Sequence, residues 1–395
     1  MKKELTLKLA KKSEFETVSI HGHEYFDEKL GVFIPPIYVT AMFEQPGWTR
    51  KSDRGLDLKY AREENPTSRA LEHVLAKLDL GDDALCFSSG MAAISTVYFS
   101  VLSSGDKVVI PREAYGMSIK LAQDLSKYGV ETIVPWPETD DIVDAIKKGV
   151  KLVAVETITN PTLRVIDIPR VAAKCKEVGA TLVVDNTFAS PVLYQPLKDG
   201  VNLVVHSVTK YLGGHNDVIA GAIIGSKDTI KDLWNWRREI GNILGPFEAY
   251  LVLRGVKTLK IRVEKNCANA QKIAEFLSSH PKVKGVHYPG LSGDKYHSVA
   301  RKLLKGGFGG VVSFNIKGGQ EEVVKLMKQL KVVKAAPSLG GTESLLSYPV
   351  IGAAGGISED VRKTLGITAD LVRLSVGIEN ADDLIYDLDQ ALNSI

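Results

Sequence analysis

Cysteine is scarce in this chain: Cys86, Cys175 and Cys267 are all there is in 395 residues. An odd number with no CxxC pair and no Cys/His metal spacing excludes a disulfide framework, implies no metal site, and points to a reducing compartment. Long apolar runs are missing too. No 18-residue apolar run is present, which excludes a spanning helix, and Met1–Lys8 lacks the unbroken apolar segment of a signal peptide, so the cytoplasm is the expected location. Nor is there an excess of one charge. Lys and Arg total 50 against 47 Asp and Glu, a net +3 with signs interspersed, and neither nucleic acid nor a membrane surface is expected as a partner. The pairs Lys2-Lys3 and Lys11-Lys12 read as solvated ends. Finally, G-x-x-x-x-G-K-[ST] and a G-x-G-x-x-G following a strand are both absent, which argues against the common nucleotide-binding modules. No internal repeat or low-complexity tract is present.

What is there is ample core-forming material, 44% hydrophobic, in a chain longer than one core usually organises. From about residue 66 to 250, short β-rich runs alternate with helix-length amphipathic runs, the pattern of a mostly parallel central sheet with helices on both faces. The expected strands are Ala84–Phe87, Lys107–Ile110, Thr132–Val134, Lys151–Val155, Thr181–Val184, Asn202–Val205 and Ile219–Ile224. Helical patterns lie between them at Met91–Leu102, Ser118–Tyr128 and Asp167–Val178, the last with Pro169 at its start and Gly179 past its end. Residues 1–65 carry Pro35-Pro36, a Gln45-Pro46-Gly47 turn and the charged Lys51–Asp57 with little periodicity, and read as an extended arm. After residue 250 one long helical pattern, Phe247–Leu277, leads into a smaller α+β domain with strands near Val283–His287 and Gly310–Ile316. The expected division is 1–65, 66–250 and 251–395.

In open α/β sheets, ligands bind beyond the carboxyl ends of the strands. Polar residues gather at those ends here: Ser88-Ser89-Gly90, Tyr115, Glu156 with Asn160, Asp185, and Ser207 to Lys210. Lys210 arrives from an apolar run on a hydroxyl-bearing, Gly-rich turn, placing an amine that could hold an aldehyde as an imine beside a cup for phosphate. Asp185 ends its own apolar strand, where a carboxylate could keep a pyridine nitrogen protonated. Together they describe a site for pyridoxal 5'-phosphate (PLP). Ser89-Gly90-Met91 opens a helix whose N–H groups and dipole favour an anion, although a plain Ser N-cap reads the same way. Ser207 and Thr209 could present hydroxyls to that anion. Tyr115, beside Gly116 in a loop, suits stacking on a flat cofactor, while a core aromatic is the commoner fate of such a tyrosine.

These residues resemble those of the cystathionine γ-synthase, cystathionine γ-lyase and methionine γ-lyase family of PLP enzymes. The resemblance runs through Pro35–Tyr38, Tyr60–Thr67, Tyr115-Gly116, Asn160-Pro161, Asp185–Phe188, His206–Tyr211, Arg254–Leu259, Ser338–Gly341 and Arg373–Glu379. It implies a fold-type I PLP-dependent transferase architecture, with Lys210 carrying the cofactor and Asp185 on its ring nitrogen. It also implies Tyr115 stacked on the ring, Asn160 near the ring hydroxyl and the substrate carboxylate, and Gly90, Met91, Ser207 and Thr209 on the phosphate, with Ser89 at the same helix start. Arg373 and Ser338 would hold the substrate α-carboxylate. Tyr60 and Arg62 would reach the phosphate of a neighbouring subunit in a homotetramer built as a dimer of dimers. The implied chemistry is γ-elimination from cystathionine or methionine, with some β-elimination from cysteine, or γ-replacement on an activated homoserine. A non-catalytic doubly wound binding protein would not need the Lys210 and Asp185 pair.

Three departures from the family pattern bear on the leaving group. Pro337 stands where cystathionine-handling members often carry glutamate, Met117 where methionine-cleaving members often carry cysteine, and Val350–Gly356 differs from the usual His-Pro and Thr-His loop.

Overall fold

The computed structural model describes residues 13–48, 54, 58–352, 354–355 and 357–395. Met1–Lys8, both Lys-Lys pairs, Lys51–Asp57 apart from Arg54, and Ala353 and Gly356 of the divergent loop lie outside the described residues.

Strands buried on both faces should read as continuous apolar runs, and the larger sheet is built from such runs. It comprises β1 (Asp83–Phe87), β2 (Lys107–Val109), β3 (Glu131–Ile133), β4 (Val150–Glu156), β5 (Thr181–Asp185), β6 (Leu203–Ser207) and β7 (Gly221–Gly225). Alternation divides each strand between two cores: Leu152 and Ala154 of β4 enter one, Val153 and Val155 the other. Burial of each such side chain contributes ~1.5–3 kcal/mol. The strand order is β1-β7-β6-β5-β4-β2-β3. All neighbours are parallel except β7, which runs against both β1 and β6. The carboxyl ends of β1, β2, β4, β5 and β6 therefore share one edge of the molecule.

Capping sets the helices in place on this frame. Ser89 Oγ accepts the Ala92 N–H at 3.0 Å to start Gly90–Val101. Asp167 caps Ile168–Val178, and Gly179 leaves that helix at φ 76°. The Ser118–Tyr128 pattern resolves into a helix, Gly116–Asp124, and a short 3-10 turn, Leu125–Tyr128.

Two expectations need correction. Phe247–Leu277 is not one helix but two, Pro246–Val256 and Leu259–Ser279, broken at Lys257-Thr258. Tertiary packing overrides helical periodicity there. A Cβ on Gly255 would lie 2.2 Å from the Gly213 carbonyl oxygen, and the Gly255 carbonyl turns to accept Arg262 Nη2 at 2.8 Å and Thr258 Oγ1 at 3.2 Å. The arm, in turn, is not wholly extended. Phe15–His21 is helical and puts Val18 into the main core, while Tyr38 bonds to Thr67 Oγ1 and Asn65 at the start of helix Pro66–Leu78.

The smaller sheet contains β8 (Val283–His287), β9 (Val311–Ile316), β10 (Lys334–Ala335), β11 (Leu345–Ser347) and β12 (Leu371–Ser375), in the order β10-β11-β12-β9-β8. Helix Leu259–Ser279 belongs to both halves, since Leu259, Val263 and Cys267 pack in the main core and Ala270, Ile273 and Leu277 in that of the smaller sheet. All three cysteines are free and buried. Among the described residues no helix is long and apolar enough to cross a membrane, and no His/Cys/Asp/Glu cluster could hold a metal ion.

Candidate active site

A cleft of about 1050 Å³ opens beyond the shared strand ends and is closed on its far side by Pro337–Leu339 and Arg373 of the smaller sheet's region. Its floor begins at the start of helix Gly90–Val101. The N–H groups of Gly90 and Met91 come first in that helix, where they have no intrahelical acceptor. A close approach of backbones brings this helix start to the ends of β6 and β7. A Cβ on Gly90 would lie 3.0 Å from Ser207 Cβ, and one on Gly221 only 2.1 Å from the Ser89 carbonyl oxygen. The result is a cup of backbone donors and the Ser207 hydroxyl, fitted to an anion. The Ser89 hydroxyl is committed as the helix cap, and the Thr209 hydroxyl exchanges two bonds with the Ala220 backbone, at 3.2 and 3.0 Å.

Next along the wall, Asp185 ends β5. Its Oδ1 accepts both the N–H and the hydroxyl of Thr187, and burial raises its pKa against those donors. Thr187 Oγ1 itself accepts the Ser207 N–H at 2.8 Å, tying the ends of β5 and β6 together. Tyr115 is 45% exposed, so it faces the cleft and not the core. Its N–H donates to Glu156 Oε1 at 2.6 Å.

The amine and a carboxylate clamp meet across the cleft. Lys210 Nζ donates to Ser338 Oγ at 2.8 Å, and burial, aided by the nearby Arg373 charge, lowers its pKa. Arg373 is itself buried, which brings its pKa down to about 10. It reaches Asn160 Oδ1 at 2.8 Å and the Ser338 carbonyl at 2.9 Å, while its Nε has no partner. A buried guanidinium with a free N–H beside a hydroxyl and an amide is suited to a carboxylate. Ser338 sits at φ 94°, a conformation disfavoured for a side-chain-bearing residue and one that often marks a working site. Pro337 and Met117 line the same cleft, Met117 being exposed.

Most of the expected residues therefore converge: Ser89, Gly90, Met91, Tyr115, Asn160, Asp185, Ser207, Thr209, Lys210, Ser338 and Arg373 all line one cleft. Tyr60 and Arg62 do not. They lie outside it on the surface, with the Arg62 guanidinium 5.5 Å from the Tyr60 ring centroid and bonded to the Arg238 carbonyl. Sequence reasoning passed over Thr187, Gly221 and the buried Glu113, which holds Arg164 at 2.7 Å and the Thr162 N–H at 2.7 Å, and so joins the Tyr115 loop to the Asn160 loop. Proximity in the chain signalled Thr187 and Glu113, two residues from Asp185 and Tyr115. Nothing local signalled Gly221.

An anion cup, a half-buried carboxylate, an outward-facing aromatic ring and an amine whose neutral form is favoured are the four things a phosphorylated pyridine aldehyde requires, and the tight Gly90–Gly221 cradle leaves room for its phosphate. Comparison with known proteins agrees. The chain is 40% identical over 394 residues to an L-methionine gamma-lyase of Fusobacterium nucleatum subsp. polymorphum, covering 98% of this chain and 99% of that one. It is 41% identical over 383 residues to a cystathionine gamma-lyase of Bacillus subtilis (strain 168), with 96% and 99% covered. A crystal structure of cystathionine gamma synthase from Xanthomonas oryzae pv. oryzae, in complex with aminoacrylate and cysteine, superposes with a TM-score of 0.92 at 37% identity, covering 97% of this chain and 98% of that one. The family model for Cys/Met metabolism PLP-dependent enzymes matches residues 16–393, and the chain is a member of that PLP-dependent family.

Proposed function

We propose that this enzyme cleaves the carbon–sulfur bond of sulfur amino acids such as cystathionine or methionine by γ-elimination, consuming water and giving 2-oxobutanoate, ammonia and a thiol. The carrying observation is the contact between Lys210 Nζ and Ser338 Oγ, 2.8 Å, within the clamp formed by Arg373 and Asn160. A carboxylate held in that clamp brings the rest of an amino acid to the amine.

PLP, when bound, supplies an electron sink conjugated to the substrate's α-carbon. In this reading Ser89, Gly90, Met91, Ser207 and Thr209 hold its phosphate, Asp185 pairs with its ring nitrogen, Tyr115 covers its ring, and Asn160 serves both its hydroxyl and the substrate carboxylate. Lys210 acts as a base, and burial together with Arg373 favours the neutral amine that role requires. Its Nζ takes the α-proton and carries it along the substrate side chain. The Tyr115 hydroxyl, at the open side of the cleft, delivers a proton to the departing sulfur. Arg373, Asn160 and Ser338 fix the α-carboxylate and so orient the bond to be broken.

The arm, 1–65, then serves assembly, with 66–250 holding the cofactor and 251–395 completing the substrate site. Tyr60 and Arg62 act on the anion cup of a second copy of this chain, in a dimer of dimers. Large apolar residues left exposed on the arm support this: Leu30 77%, Val39 81%, Met42 70% and Trp48 82%, since such a concentration marks an interaction surface. Free buried cysteines fit work in the cytoplasm.

Replacement on an O-acylated homoserine is the second reading, favoured by the close superposition on a cystathionine γ-synthase. Product analysis separates the two. Elimination gives 2-oxobutanoate from cystathionine or methionine without an added thiol; formation of a new thioether from O-acyl-homoserine and cysteine, with no 2-oxobutanoate from the first pair, would overturn it.

A further inference from the structure

Glu156 stands in the cleft wall with no task in the reading above. It ends β4 and lies in register with Asp185, which ends β5. Neighbouring strands run ~4.8 Å apart and in-register residues project to the same face, so two partly buried carboxyl groups share one wall. Both line the cleft, and no lysine or arginine bonds to either among the described residues. Two such carboxylates cannot both be ionised at small cost; the pair retains one proton.

The donors decide where that proton sits. Asp185 Oδ1 receives the Thr187 N–H and the Thr187 hydroxyl. That hydroxyl already accepts the Ser207 N–H, so its own proton is committed toward Asp185. Glu156 receives only the Tyr115 N–H on Oε1, and its Oε2 is buried without a partner. Donors to the charged form stabilise the charge, and Asp185 has more of them. The other groups around the pair act in the same sense or are neutral. Glu113 adds to the burial and Asp185 effects that drive Glu156 upward, His206 behind the wall lowers Asp185, and Tyr98 is held protonated by burial.

We propose that Glu156 is maintained as a neutral carboxylic acid, with its proton on Oε2 beside the Asp185 carboxylate. It is a positioning residue that confines the wall's single negative charge to Asp185 while its Oε1 seats the Tyr115 backbone. The consequence at the cofactor rests on the assignment of Asp185 to the ring nitrogen; the location of the proton does not.

Infrared spectroscopy of the PLP-loaded enzyme tests it. The wild type should show the carbonyl band of a protonated carboxylic acid, and Glu156→Gln should lose it. The amide is also neutral and keeps the acceptor for Tyr115, so Glu156→Gln should bind PLP within about threefold of wild type and leave the pH midpoint of its visible absorption in place. Glu156→Ala, lacking that acceptor, should bind PLP about tenfold more weakly. The proposal fails if wild type lacks the band, if the band survives in Glu156→Gln but disappears in Asp185→Asn, or if Glu156→Gln moves the midpoint by about a unit, as loss of a real charge would. Should Glu156→Gln not fold, wild type grown on carboxyl-13C glutamate answers instead: the band shifts if a glutamate holds the proton and stays if an aspartate does. Burial also raises Glu64 and Glu113, but each is paired, with Arg54 at 2.9 Å and Arg164 at 2.7 Å, so Glu64→Gln and Glu113→Gln should leave the band in place, and its loss in either would overturn the assignment to Glu156. An enzyme that shows the expected band yet turns over no sulfur amino acid would sink the functional reading and leave this one standing.

Discussion

A lysine whose neutral form is favoured by its surroundings destabilises the fold whenever it is charged. Lys210 is such a residue, its pKa lowered by burial and by Arg373. In the cofactor-free protein the penalty is complete below the lowered pKa, shrinks as pH rises toward the unfolded value of about 10.4, and vanishes above it. Lys210→Met should therefore abolish turnover while leaving the cofactor-free melting temperature at neutral pH equal to or above that of wild type, with the gap closing as pH rises; a large drop would mean that the side chain serves packing. Pro337 carries a second prediction. It lines the cleft next to strained Ser338 and offers no charge to the distal ammonium of cystathionine. Pro337→Glu should raise the ratio of kcat/KM for cystathionine over methionine about tenfold, the worth of a partly desolvated ion pair, as measured with both substrates on both proteins. At this scale the sequence is readable for the residues at or just beyond the ends of the apolar strands, among them Ser89, Glu156, Asp185, Ser207 and Lys210, because strand ends meet; Ser338 and Arg373, from the smaller sheet's region, are carried by the family resemblance alone. Gly221 is the counterexample: its importance lies in what approaches it from a helix more than 120 residues earlier.

Among elements, the turn that carries Lys210 depends on a helix from the other half of the chain. Arg262 of helix Leu259–Ser279 donates to the Tyr211 carbonyl at 2.9 Å and the Gly255 carbonyl at 2.8 Å. Gly214, at φ 74°, lies directly beneath it, and a Cβ there would fall 1.8 Å from Arg262 Nη1. Gly214→Ala should cost about 2–4 kcal/mol in denaturant unfolding, combining a left-handed alanine with weakened charge-assisted bonds. Because both changes strike one contact, Gly214→Ala with Arg262→Ala should cost less than the sum of the singles. The same contact explains why the helix break at Lys257-Thr258 was illegible: periodicity continues through it, and only the packing of Gly255 on Gly213 interrupts it. The direction of β7 is equally hidden, since parallel and antiparallel strands buried on both faces have the same composition. The strands of the larger sheet are legible to within a residue or two, as burial on both sides leaves no polar alternation to mislead, whereas β10, β11 and β12 of the smaller sheet go unread.

The whole molecule is held across its halves by Arg164, which bonds Glu113 and Tyr296 and donates to the Leu365 carbonyl at 2.8 Å. Its assembly is open to a direct test. Arg62→Ala subunits and Lys210→Ala subunits, each inactive, should regain activity when mixed, because one of the two sites in a mixed dimer receives an intact arm and an intact lysine; verified subunit exchange with no recovery would refute shared sites. The Lys210–Ser338 bond, spanning 128 residues of chain, also has a bearing on biosynthesis. A growing polypeptide that has emerged only through β7 owns the lysine, Asp185 and the anion cup, but it has neither the far wall that buries the amine nor Arg373. Its lysine then lacks the burial and the neighbouring Arg373 charge that favour the neutral amine in the folded chain. Both arrive only when the last strand of the smaller sheet, β12 with Arg373, docks, so the electrostatic tuning of the amine is a property of the finished fold and not of the segment that carries it.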